Sequence, residues 1–213
     1  MYQALWISLK VLLVDVPLLA LMGTFVGWVL ARKDFPGKGA VSLLLQLPIV
    51  LPPSVIGLYL LLALGRLDFL RDLGFLFGFP GAALAAFVPA CPIMIQSARA
   101  AFSAVDRGIE ETALTMGRSR LEVFTRVTFP LAKRTLFVGL GLSSARALGD
   151  FGVTMMVAGN IPGRTQTLPL YIYGKVESLE FAQAHWAALL LVAAGVVTLW
   201  FIKILEGGAN GIS

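Results

Sequence analysis

Charge is what this chain has least of. Only 14% of its 213 residues are Asp, Glu, Lys or Arg, where an ordinary soluble domain carries about 25%. Cysteine and histidine are scarcer still, at one each. The lone Cys91 excludes an intramolecular disulfide, and between Pro89 and Pro92 it reads as a small buried hydrophobe. The single His185 stands next to Trp186 with no companion ligand, so a His/Cys metal cluster is excluded, and Met155 and Met156 read as plain apolar residues. Neither Gly37-Lys38 nor Gly174-Lys175 is followed by Ser or Thr. No phosphate-binding loop is therefore expected, and no ATP, magnesium or other cofactor should bind this chain itself.

What fills the chain instead is hydrocarbon: 58% hydrophobic residues and a mean hydropathy of +0.85. Between Lys38 and Arg66 run 27 residues with no Asp, Glu, Lys, Arg or His, between Asp72 and Arg99 another 26, and between His185 and Lys203 another 17. About 20 mostly apolar residues cross the bilayer interior. The chain reads as an all-α, multi-pass membrane protein in one domain, 1–213, with five spans at approximately 4–31, 40–64, 81–102, 135–158 and 184–205. Trp6 and Trp28 bracket the first span, about 33 Å apart at the helical rise, as interfacial aromatics do. The first run continues past Lys10 and Asp15 to Leu30 without a small-residue cleavage site, so it reads as a span and not a removable leader. Lys10 and Asp15 are expected to be interfacial anchors.

Basic residues set the expected orientation. The connectors after the first and third spans, with the C-terminal end, hold 11 Lys and Arg, against 5 on the other side. The N-terminus should face out, and the long connector 103–134 and the C-terminus should face the cytoplasm. Prolines 48, 52, 53, 89 and 92 fall inside spans. They fit either ordinary kinks or a bundle lining a pathway.

The connector 103–134 carries local punctuation. Asp106 can cap a helix whose first turns hold Glu110 and Glu111, and Ile109, Ala113 and Met116 share one face. Gly117 should stop that helix. Ser119 and Glu122 form a capping-box pattern that starts a second helix, expected to end at Pro130. On the residues alone this helix–glycine–helix unit is a structured surface loop or a rigid projection for a partner. In the fourth span, Ser143, Arg146, Asp150 and Thr154 recur at three- and four-residue offsets and make one polar face. Arg146 would lie about 18 Å inside the membrane, where it costs at least about 2.5 kcal/mol unless it faces protein or water. An internal ion pair and a pathway or gate lining are both open.

Glu111-Thr112-Ala113, then Gly117, then Val127-Thr128-Phe129-Pro130 resembles the cytoplasmic signature of ABC-importer permeases, with Thr112, Val127 and Phe129 as departures. Phe35-Pro36-Gly37-Lys38, Leu47 to Pro53, Ala145 to Gly152 and Asn160 to Thr167 are similar to the molybdate/tungstate branch. The resemblance spans about Ser8 to Leu205. It implies a type I importer permease fold in a bacterial or archaeal cytoplasmic (inner) membrane. The implied partners are an ABC ATPase dimer that binds the ATP and magnesium, an extracytoplasmic oxyanion-binding protein served by the segment 160–173, a second copy of the chain and the bilayer, with no nucleic acid. It assigns coupling to Glu110, Glu111, Ala113, Gly117 and Pro130. The chain would be a translocating subunit and not an enzyme, with no catalytic or metal-binding residues. Rival expectations are a permease for sulfate or another solute and an ion-gradient transporter using Arg146 and Asp150. An intramembrane hydrolase is disfavoured because Gly141-Leu142-Ser143-Ser144-Ala145 lacks the second glycine of a nucleophile elbow.

Overall fold

The structure is a computed structural model that describes residues 1–207. Residues 208–213, the end of the expected domain, lie outside the described residues. Every regular element among the described residues is helical. We number them α1 (Tyr2–Arg32), α2 (Lys38–Val50), α3 (Pro53–Gly65), α4 (Asp68–Asp72), α5 (Phe79–Ser103), α6 (Arg107–Thr115), α7 (Arg120–Leu148), α8 (Gly152–Ala158), α9 (Leu168–Glu177) and α10 (Phe181–Gly207). Helices α1, α5 and α10 are each long and apolar enough to span, and counting each of the two bent pairs, α2–α3 and α7–α8, as one span gives up to five among the described residues.

Helix α5 is the axis of the bundle, packed against α1, α2, α7 and α8. Its composition explains the position. Ala82, Ala85, Ala86, Ala90, Ala98 and Ala101 are all buried, and small side chains let neighbouring backbones come close. The neighbours answer with glycine. A Cβ on Gly27 of α1 would sit 2.5 Å from the Ala98 Cβ, and one on Gly139 of α7 would collide with Ser97. The spanning window of α5 is 56% buried, against 11% for α10, whose Trp186, Val192, Val197 and Trp200 all face outward.

Proline decides where the second span breaks. Leu51 and Pro52 each precede a proline, which disfavours helical geometry, and both are extended. The axes of α2 and α3 consequently diverge by 115°. The two halves still follow α5 along its length. Arg99, near the end of α5, donates to Ser42 of α2, while Ile56 and Leu64 of α3 cluster with Ala85 of α5 and with Val153 and Val157 of α8.

Two sequence expectations need correction. Pro130 does not end the second connector helix: α7 runs unbroken from Arg120 to Leu148. A wide turn at Phe124–Thr128 absorbs the proline, because the Phe129 N–H donates to the Phe124 carbonyl five residues back and the register shifts before the missing donor arrives. The fourth span is thus the direct continuation of the connector. Asp15, in turn, is no interfacial anchor. It lies on one stripe with Val11 and Leu19, which pack into the cluster around α5, so the carboxyl is fully buried and neither oxygen has a hydrogen-bond partner among the described residues. Lys10, on the other face, is exposed with its ammonium 5.3 Å above the Trp6 ring.

Candidate functional site

The connector folds into an elbow, α6–Gly117–α7, held by local hydrogen bonds at each end of α6. At its start the Asp106 carboxylate accepts from the Gly108 N–H at 2.8 Å. At its end Gly117 adopts φ +81°, a conformation that favours glycine. The Arg118 N–H then reaches the Ala113 carbonyl at 3.3 Å and the Gly117 N–H reaches that of Leu114 at 3.0 Å. That is a Schellman closure, which satisfies the last carbonyls of the helix. Two residues later the Ser119 hydroxyl accepts from the Glu122 N–H while the Glu122 carboxylate accepts from the Ser119 N–H at 3.0 Å. The hydrogen bonds from Ser119, reinforced by Arg118, hold the Glu122 carboxyl below its ordinary value.

The five coupling residues named from the sequence occupy different places. Ala113 is half-buried on α6, Gly117 forms the elbow, and Glu111 is exposed. Pro130 lies in α7 just past the wide turn. Glu110 points inward. Its carboxylate accepts from the Arg32 guanidinium of α1 at 2.8 Å and from the Thr128 hydroxyl of α7 at 2.6 Å, so one side chain joins three elements. Arg32 also donates to the Val105 carbonyl at 3.2 Å. Sequence reading missed Arg32 and Thr128 because their partners lie 78 and 18 residues away; Arg32 counted only toward orientation.

The outward face of α6 is apolar. Ile109 and Met116 are 49% and 78% exposed, and across the elbow Leu121 is 72% exposed. Arg107, Glu110, Glu111 and Leu114 occupy the opposite side and line a cleft against α1 and α7.

At the far end of α7 the polar residues form a second junction. The helix stops at Leu148 and α8 starts at Gly152, the axes turning by 56°. Asp150 sits in the gap with its side chain 1% exposed. One carboxylate oxygen accepts from Arg146 at 3.1 Å, and the other accepts from the Thr154 N–H at 3.0 Å and the Thr154 hydroxyl at 2.9 Å. Thr154 therefore meets the pair through Asp150 and not by continuing a straight helical face, a correction to the single-face expectation. Ser143 stands apart, fully buried and donating to the Leu140 carbonyl of its own helix.

The segment after α8 is a compact loop. The Thr165 hydroxyl, fully buried, donates to the Gly159 carbonyl and accepts from the Ile161 N–H, while Gln166 donates to Asn160. Ser8 of α1 accepts from the Leu168 N–H at 2.8 Å and pins the start of α9. A polar cleft of about 500 Å³, lined in part by Asn160, Gln166, Gly174 and Lys175, opens beside this loop.

Comparison with known proteins agrees with the architecture. Residues 23–210 match the family described as binding-protein-dependent transport system inner membrane component. The chain is 39% identical over 184 residues to the molybdenum transport system permease protein ModB of Escherichia coli K12, covering 83% of this chain and 80% of that one. It is 39% identical over 179 residues to ModB of Haemophilus influenzae, covering 81% and 78%. The sulfate transport system permease protein CysW of Synechococcus elongatus is 34% identical over 210 residues, covering 96% of this chain and 73% of that one. With one match over most of its length and several relatives above 30% identity, the chain belongs to the binding-protein-dependent inner-membrane components, the permeases of ABC importers.

Proposed function

We propose that this chain is the channel-forming subunit of an ATP-driven importer for molybdate or tungstate. It would work as two copies, driven by a separate ATPase dimer on the cytoplasmic side and fed by an extracytoplasmic oxyanion-binding protein. One observation carries the reading: the elbow is mechanically continuous with a membrane span. A load on the exposed face of α6 passes through the Schellman closure and capping box into α7, which runs without interruption to the Arg146–Asp150 junction. Rigid helices transmit such displacements as rigid-body motion. In this reading Ala113 and Gly117 meet the ATPase, exposed Glu111 reaches it from the rim of the cleft against α1 and α7, Glu110 locks the elbow to α1, and Pro130 sits where the elbow becomes span. Ser143, Arg146, Asp150 and Thr154 line or brace the translocation path, with Arg146, one third exposed, as the group able to face a passing anion.

The relatives support an oxyanion as cargo, since those named above are permeases of molybdenum and sulfate systems. Molybdate or tungstate is favoured over sulfate by the higher identity to the molybdenum permeases. The test is reconstitution with the ATPase and binding protein, measuring ATP hydrolysis and uptake with molybdate, tungstate and sulfate in parallel. Stimulation by molybdate or tungstate is expected. Stimulation by sulfate alone assigns the sulfate branch, and uptake that survives ATP depletion with an ion gradient intact removes the ATPase from the mechanism.

A further inference from the structure

The inner side of the elbow encloses a cleft of about 290 Å³ between the end of α1, the inner face of α6 and the first turns of α7. Its lining divides by chemistry. Trp28, Leu114, Val123 and Phe124 supply an apolar floor, the Trp28 and Phe124 rings meeting edge to face at 6.2 Å. Arg32, Lys33, Arg107 and Arg120 supply four cations, against the carboxylates of Glu110 and Glu111.

Glu110 is already committed to Arg32 and Thr128. That leaves Glu111 as the remaining carboxylate of the lining beside Lys33, Arg107 and Arg120. None of these three cations makes a side-chain hydrogen bond or ion pair with a described residue. Asp34 lies close enough to feel the charge of Arg107, but its carboxylate is bound by Lys38 at 2.9 Å. The cleft therefore keeps an unspent positive surplus directly beside an apolar surface, at the level of Trp28, the aromatic that the sequence places at the inner end of the first span.

We propose that this cleft binds the phosphate of an anionic glycerophospholipid. Arginine forks hold phosphate oxygens in two-point contacts and the lysine adds a point charge. Basic pockets between spanning helices at a membrane surface suit such headgroups. A lipid also uses the apolar floor, which free phosphate would leave empty, and this favours the lipid as source. The bound phosphate bridges α1, α6 and α7, the elements that Glu110 also joins within the cleft, and so stiffens the elbow. This occupancy requires only that Trp28 lie at the boundary, so it stands or falls separately from the identity of the transported solute.

The test uses the permease purified with its ATPase in vesicles of phosphatidylcholine, with or without phosphatidylglycerol. Native mass spectrometry reads retained lipid, and the thermal midpoint reads its effect. Lys33→Gln, Arg107→Gln and Arg120→Gln, singly and together, are compared with Arg66→Gln/Arg71→Gln at the far end of the molecule. All five side chains are exposed, so the fold should survive. The intact protein should retain phosphatidylglycerol and gain thermal stability from it, with retention falling about fivefold for each cleft charge removed and unaffected in the control. A midpoint shift reproduced by inorganic phosphate in phosphatidylcholine supports the phosphate site with a free anion as its source. Equal retention in the triple variant overturns the proposal, as does equal loss in the control. So does a complex with the ATPase that retains no phosphatidylglycerol, which would make the cleft a protein interface.

Discussion

Helix α7 ends in two junctions that solve the same problem with different materials. At Gly117 the chain turns in the open, and the turn is built from backbone: a left-handed glycine, two Schellman hydrogen bonds and a capping box, all within ten residues of one another. At Asp150 it turns inside the bundle, and one buried carboxylate, bonded to Arg146 and Thr154, holds the turn. Water can substitute for a broken bond at the first junction and not at the second. The exposed elbow should therefore lose function before stability when it is altered, and the buried junction should lose stability first.

Asp150→Ala is the largest test of that contrast. It leaves the one-third-exposed Arg146 guanidinium without its carboxylate and removes the buried acceptor of the Thr154 N–H and hydroxyl, so a loss of about 3 kcal/mol is expected, read as thermal unfolding in detergent. Adding Arg146→Met should recover part of the loss, because removing both charges costs less than removing one. A double variant no more stable than the single shows that the pair is not what holds the bend. Gly117→Val comes next. A β-branched residue at φ +81° is strained by about 1–3 kcal/mol, and the chain relieves it by re-angling α6. Assembly should persist while substrate-stimulated ATP hydrolysis collapses. Normal stimulation in an assembled complex would show that the elbow angle is irrelevant. Ser119→Ala should cost about 1 kcal/mol, with transport reduced and the melting point little changed.

The same contrast explains what the sequence disclosed. Asp106, Gly117, Ser119 and Glu122 act within a few residues of themselves, so a capping box and a helix-stopping glycine could be read from spacing alone. The long apolar helices α1, α5 and α10 were legible for a similar reason, since length and the lack of charge suffice. Pro130 was misread because its rule assumes a regular helix, and a wide turn one step earlier evades it. Asp15 was misread because position along a span does not reveal which face meets α5. Arg32 and Thr128 converge on Glu110 only after three distant segments pack, a tertiary event with no local pattern. The Arg146–Asp150 spacing was visible, yet the gap that lets Asp150 also serve Thr154 was not.

The smallest effect belongs to Glu122, and its sign follows from the capping box. Hydrogen bonds from Ser119 favour the carboxylate, so the carboxyl titrates below its ordinary value of 4.5 when the elbow is folded. The unfolded elbow therefore binds a proton more readily than the folded one. The stabilisation is complete above pH 4.5 and is lost as the pH falls through the depressed folded value. Hydrogen exchange at the Ser119 and Glu122 amides should accelerate over that acid interval beyond the intrinsic trend, while the amide of Val157, fully buried in the bundle, stays protected. Glu122→Gln keeps an acceptor for the Ser119 N–H but removes the titration, so its exchange profile should be flat over the same interval. If the glutamine variant keeps the acid-dependent opening, the box is not what closes this end of α7, and the local reading of the elbow fails where it is simplest.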